Sequence, residues 1–440
     1  MKRNAIAVIG GGWAGLTAAV ELVDAGYTVT VFEAARMPGG RARTVNINQH
    51  VLDNGQHILL GAYSQTLRQM EKVGVDTQQA FLRLPLQMRY PPADDGMDFI
   101  TSRLPAPLHL LTALLRVQGL TRADKLALAR FTTSARWMDW QLHDDCTVLT
   151  LLQRFDQTER LFRLLWRPLC IAALNTPPAQ ASARIFLNVL RDSLGARRSH
   201  SDMLLPRLDL GALFPIPAAE YVQRHGSEVL PGTVIRNIIR TEQSWSLTTA
   251  TQSHRLFDGL VVATSASSAR TLLQDTLPDH VPDMQHEPIA TCYLQYAPGT
   301  RLPHAMHALL DMPAQGRWGQ FVFDRGQLDT TQDGLLAVVV STANATDAPA
   351  GNELAQAIAN QLATSFAMPT LATPLWSQVI TEKRATFSCT PDLQRIKEET
   401  VFPDLTLAGD YLQGPYPATI ESAVRSGRHA ASLLIKHFSA

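Results

Sequence analysis

The sequence predicts an α/β fold organised around a parallel β-sheet whose first strands lie at the N-terminus. Ala5–Ile9 is a short apolar run of the kind that forms a buried parallel strand. A glycine-rich turn over residues 10–15 follows it, a helical pattern begins at Leu16, and Thr28–Phe32 is a second apolar run after Gly26. This strand–turn–helix–strand order is typical of a Rossmann-type domain, in which the turn lies at the carboxyl end of the first strand.

The turn itself, Gly10-Gly11-Gly12-Trp13-Ala14-Gly15, has the G-x-G-x-x-G spacing of a dinucleotide-binding loop. Gly10 permits the tight turn, Gly12 lets a pyrophosphate approach the backbone, and Gly15 lets helix and strand pack closely. The helix N-terminus adds free N–H groups and a positive dipole end, so we expect Trp13 and Ala14 to lie against the phosphates. An ordinary strand-to-helix turn is the alternative, but all the flanking elements agree with a dinucleotide site.

The second strand ends at Glu33, whose carboxylate can accept hydrogen bonds from the hydroxyls of an adenosine ribose. Ala34 follows it and is predicted to contact the same part of the dinucleotide. A weaker feature, Gly232–Ile235, resembles the segment whose backbone holds the adenine in flavoproteins. That resemblance implies an adenine contact at Val234.

Beyond Glu33 lies Gly39-Gly40-Arg41-Ala42-Arg43-Thr44, which resembles the second signature of glutathione-reductase-type and amine-oxidase-type flavoproteins. A second glycine turn, at Gly40, brings further backbone N–H groups towards the dinucleotide, and Arg41 can add a charge-assisted contact to the pyrophosphate. A surface loop with solvated arginines is the simpler alternative. The position of this signature predicts FAD rather than NAD as the cofactor.

The C-terminal part of the chain supplies a third element. Leu405–Ala408 is predicted to be a short strand that runs into Gly409 and Asp410, and a last helix begins near Thr419 and Ile420. This arrangement resembles the C-terminal motif of the same flavoproteins, and the resemblance implies that the aspartate binds the ribityl-phosphate end of FAD. It also implies that the helix N-terminus points at the pyrimidine oxygens of the flavin, where its dipole stabilises the anionic reduced form.

A length of 440 residues predicts two domains, because one hydrophobic core rarely serves so long a chain. The cofactor motifs place a discontinuous FAD-binding domain in residues 1–95, 205–287 and 395–440. The remaining segments, 96–204 and 288–394, are assigned to an α+β substrate-binding domain. The first of them has helical spacing of leucine and alanine, whereas alternating apolar runs predict a sheet in the second.

Composition excludes several classes of function. Lys+Arg and Asp+Glu balance at 39 each, so no basic excess exists to bind a nucleic acid backbone. The 4 cysteines are far apart and form no C-x-x-C pair, which argues against a metal site and a disulfide framework. Lys2, Arg3 and the uncharged stretch after them superficially resemble a signal peptide, but the glycine turn explains that stretch better. We therefore predict a cytoplasmic protein that binds no metal.

The segment Pro107–Gln118 is amphipathic, with Leu108, Leu111 and Leu115 on one face and basic residues nearby. One interpretation is a surface that enters the membrane interface to collect a lipid substrate, which would place the protein peripherally at the inner membrane surface. The other interpretation, which we favour, is a helical lid packed on its own domain.

Three longer stretches narrow the family. They carry specific local sequences rather than a general flavoprotein pattern, and they are Leu52–Tyr63, Pro168–Pro178 and Leu204–Gly211. Together they resemble the bacterial hydroxysqualene dehydroxylases, the squalene-associated FAD-dependent enzymes of hopanoid synthesis. The resemblance runs from Ile6 to about Ala431 and implies reductive removal of the hydroxyl of hydroxysqualene, giving squalene and water. It also implies squalene-synthase-like enzymes as upstream partners.

The sequence leaves open which residue donates the proton that turns this hydroxyl into water. By analogy with related flavoproteins, the segment from Asp53 to His57 passes close to the flavin, which makes His57 the first candidate acid and Asp53 the second. The competing interpretation, which we favour, is that Gly55, Gln56 and His57 line the flavin through backbone contacts.

Other functions fit parts of the pattern. A carotenoid-type desaturase would use the same fold to remove hydride from a polyisoprenoid, but Gly414–Thr419 lacks the P-G-x-G-I-P run expected of the bacterial form. An amine oxidase would normally place an aromatic residue where Thr419 stands. A non-catalytic flavin-binding scaffold is the third alternative. Tyr411 and Tyr416, beside the C-terminal motif, are interpreted either as functional phenols or cation-facing rings, or as packing residues.

Overall fold

A computed structural model describes residues 4–48, 50–94, 96–105, 108–195, 197–341 and 347–439 of the chain. Pro107, with which the predicted amphipathic segment begins, lies outside the described residues, as do Lys2 and Arg3. The helix in that segment begins at Leu108.

The α-helices of the described residues are, in chain order, α1 Trp13–Asp24, α2 Ser64–Lys72, α3 Thr77–Ala80, α4 Leu108–Arg116, α5 Arg122–Trp137, α6 Val148–Arg154, α7 Glu159–Leu161, α8 Arg167–Leu174, α9 Ala183–Leu190, α10 Leu210–Leu213, α11 Pro215–Arg224, α12 Ala266–Leu273, α13 Gly351–Ser365 and α14 Ile420–Ser439. The strands are β1 Ala5–Ile9, β2 Thr28–Glu33, β3 Thr44–Ile47, β4 His50–Asp53, β5 Leu59–Leu60, β6 Phe81–Leu84, β7 Gln87–Arg89, β8 Asp98–Ile100, β9 Met203–Pro206, β10 Glu228–Pro231, β11 Ile235–Arg240, β12 Trp245–Thr249, β13 His254–Phe257, β14 Gly259–Val262, β15 His286–Gln295, β16 Met306–Ala308, β17 Phe321–Asp324, β18 Leu335–Ser341, β19 Trp376–Phe387 and β20 Leu405–Leu407.

The predicted N-terminal strands, β1 and β2, lie side by side in a parallel sheet. Among the described residues its strand order is β10-β2-β1-β14-β20, so that β1 is central and the C-terminal strand lies at one edge. Ile6 of β1 is in register with Val29 of β2 and with Gly259 of β14. Every strand pair in this sheet is parallel. The α/β fold predicted from the first strands is therefore confirmed.

Helix α1 covers this sheet and packs closely against the last helix, α14. A side chain at Gly427 of α14 would collide with the carbonyl oxygen of Ala14 on α1, so only glycine lets the two helices approach this far. Trp13, the first residue of α1, packs its ring 5.1 Å from the ring of Phe214, just before α11. These contacts fix the start of α1 relative to α14 and to α11.

A second sheet is antiparallel, and among the described residues its strand order is β16-β17-β18-β15-β19. Successive side chains of a strand point to opposite faces, and β17 shows this clearly. Val322 packs with Ile358 and Leu362 of α13 in one hydrophobic cluster, whereas Phe321 and Phe323 face the interior of the molecule. The alternating runs of the sequence thus form a sheet with one face on α13. The division into FAD-binding and substrate-binding domains stays a prediction.

Candidate active site

A cavity of about 1100 Å³ lies where the carboxyl ends of β1, β2 and β14 meet the second sheet and helices α8 and α9. Its volume exceeds the range of about 300–1000 Å³ usual for small-molecule sites, so it has room for a dinucleotide and part of a long substrate. The predicted site residues that line it are Gly10, Gly12, Trp13, Ala14, Glu33, Ala34, Gly40, Arg41, Gly55, Gln56, His57, Val234, Gly409, Asp410, Thr419 and Ile420. Gly15 and Asp53 lie behind this wall.

The first glycine turn has the tight geometry that a dinucleotide loop needs. Gly10 has φ +108°, a conformation that side chains rarely adopt, and a Cβ there would lie 2.5 Å from the carbonyl oxygen of Ala263. A Cβ at Gly15 would collide with the carbonyl oxygen of Gly10. At Gly12 a Cβ would meet no atom of the chain closer than 3.8 Å. The space above Gly12 is therefore free for a ligand.

The second glycine turn is bonded directly to the first. The Gly39 N–H donates to the Gly11 carbonyl over 2.8 Å, and the indole N–H of Trp13 donates to the Ala42 carbonyl over 2.9 Å. The two turns thus form one backbone-lined groove beside the start of α1. A groove of this kind fits the pyrophosphate of a dinucleotide, because it presents N–H groups and a helix N-terminus to the phosphates.

Glu33 lies at the far end of this groove and is almost fully buried. Its two carboxylate oxygens accept hydrogen bonds from the backbone N–H groups of Gly11, at 2.6 Å, and Ala35, at 2.7 Å. The Thr233 N–H donates to the Glu33 carbonyl over 2.8 Å, which brings Val234 to the same end of the cavity. The carboxylate therefore ties the turn to the end of β2 and keeps lone pairs for a ribose.

Arg41 connects the second turn to the C-terminal motif. Its guanidinium donates to Asp410 over 2.5 Å and to the Ala385 carbonyl over 2.8 Å. The Asp410 carboxylate raises the pKa of Arg41, so the guanidinium stays charged throughout the neutral range. Sequence reasoning had assigned both residues to FAD without foreseeing that they bind each other.

The N-terminus of the last helix faces the cavity. Thr419, Ile420 and Ala423 all line it, and the 20 residues of α14 give that end a positive dipole. The Thr419 hydroxyl accepts a hydrogen bond from the Ser422 N–H over 3.1 Å, which caps the helix. Ala418 just before it has φ +57°, the left-handed conformation of a tight turn.

His57 lies on the cavity wall as a largely neutral imidazole. Its Nδ1 is 2.7 Å from the carbonyl oxygen of Gly55, so Nδ1 carries the hydrogen of the neutral ring and Nε2 keeps its lone pair. Burial lowers the pKa of His57, and the nearby Arg41 cation lowers it further, against the opposing effect of the Gly55 hydrogen bond. The ring therefore carries little positive charge at neutral pH.

Asp53 lies behind this segment rather than on the wall. It is 4% exposed, and its Oδ1 accepts a hydrogen bond from the Leu210 N–H over 2.8 Å. Burial raises the pKa of Asp53 to about 6, with smaller opposing effects from the Leu210 N–H and the Arg325 cation. The backbone carbonyl of Asp53 accepts from the Tyr293 hydroxyl over 3.0 Å. These contacts anchor the loop, and the role of either residue as an acid stays a prediction.

Sequence reasoning missed one polar pair on the cavity wall. The hydroxyl of Tyr416 donates to Asp192 over 2.5 Å, and both residues line the cavity. Nothing in the local sequence around Asp192 marks it as functional, because its partner lies far away in the chain. Tyr411, by contrast, is fully buried, and its hydroxyl has no hydrogen-bond partner among the described residues.

Two further observations concern metals and membranes. Among the described residues, no His, Cys, Asp and Glu side chains cluster in a way that could hold a metal ion. The cysteines in that part of the chain are free thiols. No helix in the same part of the chain has the length and apolar character needed to span a bilayer.

Comparison with known proteins agrees with this geometry. Residues 13–435 match the family of flavin-containing amine oxidoreductases. A hydroxysqualene dehydroxylase from Zymomonas mobilis is 30% identical to the chain, over 98% of this chain and 99% of that one. A zeta-carotene desaturase from Synechocystis is 23% identical, over 98% of this chain and 97% of its own. The solved structure of cyclohexylamine oxidase from Brevibacterium oxydans shares the fold, with a TM-score of 0.72 and 17% identity over 100% of both chains.

Proposed function

Because the chain belongs to the flavin-containing amine oxidoreductase family, we propose that it uses FAD to reduce hydroxysqualene to squalene and water. The observation that carries this function is the full-length similarity to a hydroxysqualene dehydroxylase, at 30% identity. The cavity supports it, because an apolar region adjoins the dinucleotide groove. The protein is thus an FAD-dependent oxidoreductase acting on a polyisoprenoid alcohol.

We assign the two ends of FAD to the two ends of the groove. Glu33 and Val234 would hold the adenosine, and the glycine turns would hold the pyrophosphate. Arg41 and Asp410 would hold the ribityl-phosphate part, and the start of α14 would face the flavin ring. When bound and reduced, FAD supplies a hydride.

The apolar end of the cavity would bind the hydrocarbon and exclude water. Its wall is formed by aliphatic and aromatic side chains from α8, α9, β9 and the second sheet: Ile171, Leu174, Phe186, Val189, Leu190, Met203, Phe321 and Phe323. Loss of an allylic hydroxyl leaves positive charge on the carbon chain, and water would trap such a cation. A dry, apolar wall protects the reacting carbon until hydride arrives.

The proton for the leaving hydroxyl is proposed to come from the segment between Asp53 and His57. His57 lies on the cavity wall, so it remains the first candidate, but only its imidazolium form can give a proton at Nε2. Because the pKa of His57 is lowered, that form becomes scarcer as the pH rises. If His57 is the acid, turnover must fall with rising pH across the neutral range.

We further propose that α4 and α5 contact a membrane surface, in place of the helical lid that the sequence favours. Leu108, Leu111 and Leu115 on α4 are 48%, 52% and 69% exposed, whereas His109 and Ala113 on its other side are buried. On α5, Leu126 and Trp137 are also exposed. The Lys125 ammonium donates to the Leu115 carbonyl over 3.2 Å and so ties the two helices together.

Charge around these side chains fits an anionic bilayer. The exposed arginines of this region are Arg103, Arg116, Arg122, Arg130 and Arg136. An apolar face flanked by arginines is the pattern of a helix that lies in the membrane interface. The bilayer also holds the water-insoluble substrate, so docking there would place the protein where squalene-synthase-like enzymes could deliver it.

The test of the proposed function is an anaerobic single turnover. The FAD-loaded protein is reduced chemically and mixed with hydroxysqualene, and reoxidation of the flavin should accompany the appearance of squalene by mass spectrometry. An FAD-loaded protein that stays reduced would refute the dehydroxylase. Oxidation of squalene or phytoene by the oxidised protein would instead support the desaturase.

A further inference from the structure

Tyr416 and Asp192 form a polar pair on the cavity wall, next to apolar side chains of α9. Tyr416 precedes α14, and Asp192 lies in the helical turn that continues α9. The phenol donates to the Asp192 carboxylate over 2.5 Å. Beside Asp192, the last turns of α9 present Val189 and Leu190 to the same cavity. A polar pair in such surroundings calls for a reason, because a hydrocarbon chain makes no use of it.

The surroundings hold both members of this pair in place. The Arg191 guanidinium binds the Asp192 carboxylate with two hydrogen bonds, of 2.7 and 3.1 Å. The guanidinium carbon of Arg425 lies 5.1 Å from the centre of the Tyr416 ring, as in a cation–π contact. Arg425 in turn donates over 2.7 Å to Glu421, which is fully buried. The phenol is therefore fixed in both position and direction.

Protonation of the pair is also defined. Burial raises the pKa of Asp192, but the hydrogen bonds from Arg191 and Tyr416 outweigh it, so the pKa of this carboxyl lies below its ordinary value. Burial and the same hydrogen bond raise the pKa of Tyr416. At neutral pH the phenol is therefore neutral and its hydrogen points at the ionised Asp192. The remaining lone pair of the phenol oxygen is left as an acceptor.

In an apolar cavity, the hydroxyl of the proposed substrate would lack a hydrogen-bond acceptor. A polyisoprenoid alcohol carries one hydroxyl, and leaving that hydroxyl without a partner after desolvation is unfavourable. The hydrocarbon product has no hydroxyl and gains nothing from the phenol. A chain of repeated isoprene units also needs one fixed point, since it could otherwise slide by whole units along the cavity.

We propose that the Tyr416 hydroxyl, oriented by Asp192, accepts a hydrogen bond from the substrate hydroxyl and so selects the alcohol over the hydrocarbon product. This inference rests on the proposed function. Tyr416 is then a substrate-binding residue, and Asp192 is a positioning residue that acts through it.

The test compares the binding of alcohol and hydrocarbon to the oxidised, FAD-loaded protein. Dissociation constants for hydroxysqualene and squalene are measured from changes in the flavin absorption spectrum. Tyr416→Phe should weaken binding of hydroxysqualene by about tenfold to a hundredfold and leave binding of squalene within about twofold. In single turnover with reduced protein, Tyr416→Phe should raise the substrate concentration needed for half-maximal rate.

A matched control exists at the surface. The Tyr221 hydroxyl donates to Asp24 over 2.6 Å, away from the cavity, so Tyr221→Phe removes the same kind of hydrogen bond elsewhere. It should leave both dissociation constants unchanged. Asp192→Asn keeps an acceptor for the phenol and should retain most of the preference for the alcohol. Asp192→Leu leaves the phenol without this acceptor and should lose part of the preference for the alcohol. A merely structural role of Asp192 would not produce this graded response.

The outcomes separate the two proposals. If the wild-type protein turns over hydroxysqualene but Tyr416→Phe keeps the wild-type preference for alcohol over hydrocarbon, the inference about Tyr416 is wrong and the function stands. Should Tyr416→Phe lose its flavin, the comparison of Asp192→Asn with Asp192→Leu decides in its place. A wild-type protein that binds hydroxysqualene no better than squalene and fails to reduce it would overturn the proposed function itself.

Discussion

The cofactor end of the cavity and its apolar end are built in different ways. At the cofactor end, Gly10, Gly12 and Gly15 lie within one short turn, and the wall there consists mainly of backbone atoms. At the apolar end, Tyr416 meets Asp192 across 224 positions of sequence. The first end depends on the absence of side chains, whereas the second depends on two side chains that tertiary packing brings together. Substitutions should therefore act differently at the two ends.

The largest expected effect is at Gly15, where the chain itself leaves no room. A methyl group there would collide with the Gly10 carbonyl, so Gly15→Ala should lower the free energy of unfolding by about 3 kcal/mol. Urea denaturation of the protein without FAD measures this effect directly. An unchanged midpoint would mean that the turn can relax, and that the close packing of helix and strand is not required.

Gly12→Ala is the matched control for Gly15→Ala. Its effect on FAD affinity is the next in size. The added methyl group meets no atom of the chain within 3.8 Å, so the FAD-free protein should unfold within about 0.5 kcal/mol of wild type. The pyrophosphate would however meet that methyl group, and FAD affinity should fall by about a hundredfold or more. Fluorescence titration with FAD measures it. Wild-type affinity would show that the pyrophosphate does not lie over this turn.

Substitutions of His57 and Asp53 test which residue of the loop donates the proton to the leaving hydroxyl. If His57 is the acid, His57→Ala should keep FAD bound and slow turnover by about a hundredfold or more. Wild-type turnover should then fall as the pH rises above the lowered pKa of His57, because the imidazolium is lost. A flat pH profile with a modest effect of His57→Ala would favour the interpretation that this segment only lines the flavin.

Asp53→Asn gives a stability signature with a defined sign. The folded-state pKa of Asp53, about 6, lies above its usual value, so folding favours the protonated form. Wild-type stability should fall as the pH rises from about 4 to about 6, and the penalty then persists above pH 6. Asparagine carries no charge and can still accept from Leu210. At pH 8 the free energy of unfolding of Asp53→Asn should therefore exceed that of wild type by about 2 kcal/mol. At pH 4 the two proteins should differ little.

That stability difference is measured by denaturation at both pH values, and turnover is measured on the same samples. A hundredfold loss of turnover in a stabilised, FAD-loaded Asp53→Asn would identify Asp53 as the acid. Retained turnover would leave Asp53 as a buried anchor of the loop. Equal stability of the two proteins at pH 8 would contradict the raised pKa.

How much could be predicted from the sequence follows the same division between the two ends. The places of the glycine turns, Glu33 and Asp410 on the cavity wall were predictable, because strand, turn and helix lie within short stretches whose spacing has a physical meaning. The ion pair between Arg41 and Asp410 could not be predicted, although both residues had been assigned to FAD. No local pattern encodes a contact between residues so far apart in the sequence. Asp192 carried no signal at all. Its position on the cavity wall depends on the packing that brings the turn after α9 close to the residues before α14.

The smallest expected effect concerns the surface of α4, and it tests the remaining choice between a membrane contact and a lid. Leu111→Glu combined with Leu115→Glu places charge on the exposed face, so binding to vesicles containing anionic lipid should fall by about tenfold or more. Leu375→Glu with Val401→Glu is the matched control, because those side chains are 73% and 75% exposed elsewhere and should not affect binding.

Turnover of detergent-dispersed hydroxysqualene should be the same in wild type and both double variants, since the cavity is untouched. Cosedimentation with vesicles decides: equal binding by both double variants would mean that α4 is a lid, and that the substrate reaches the apolar end of the cavity by another route.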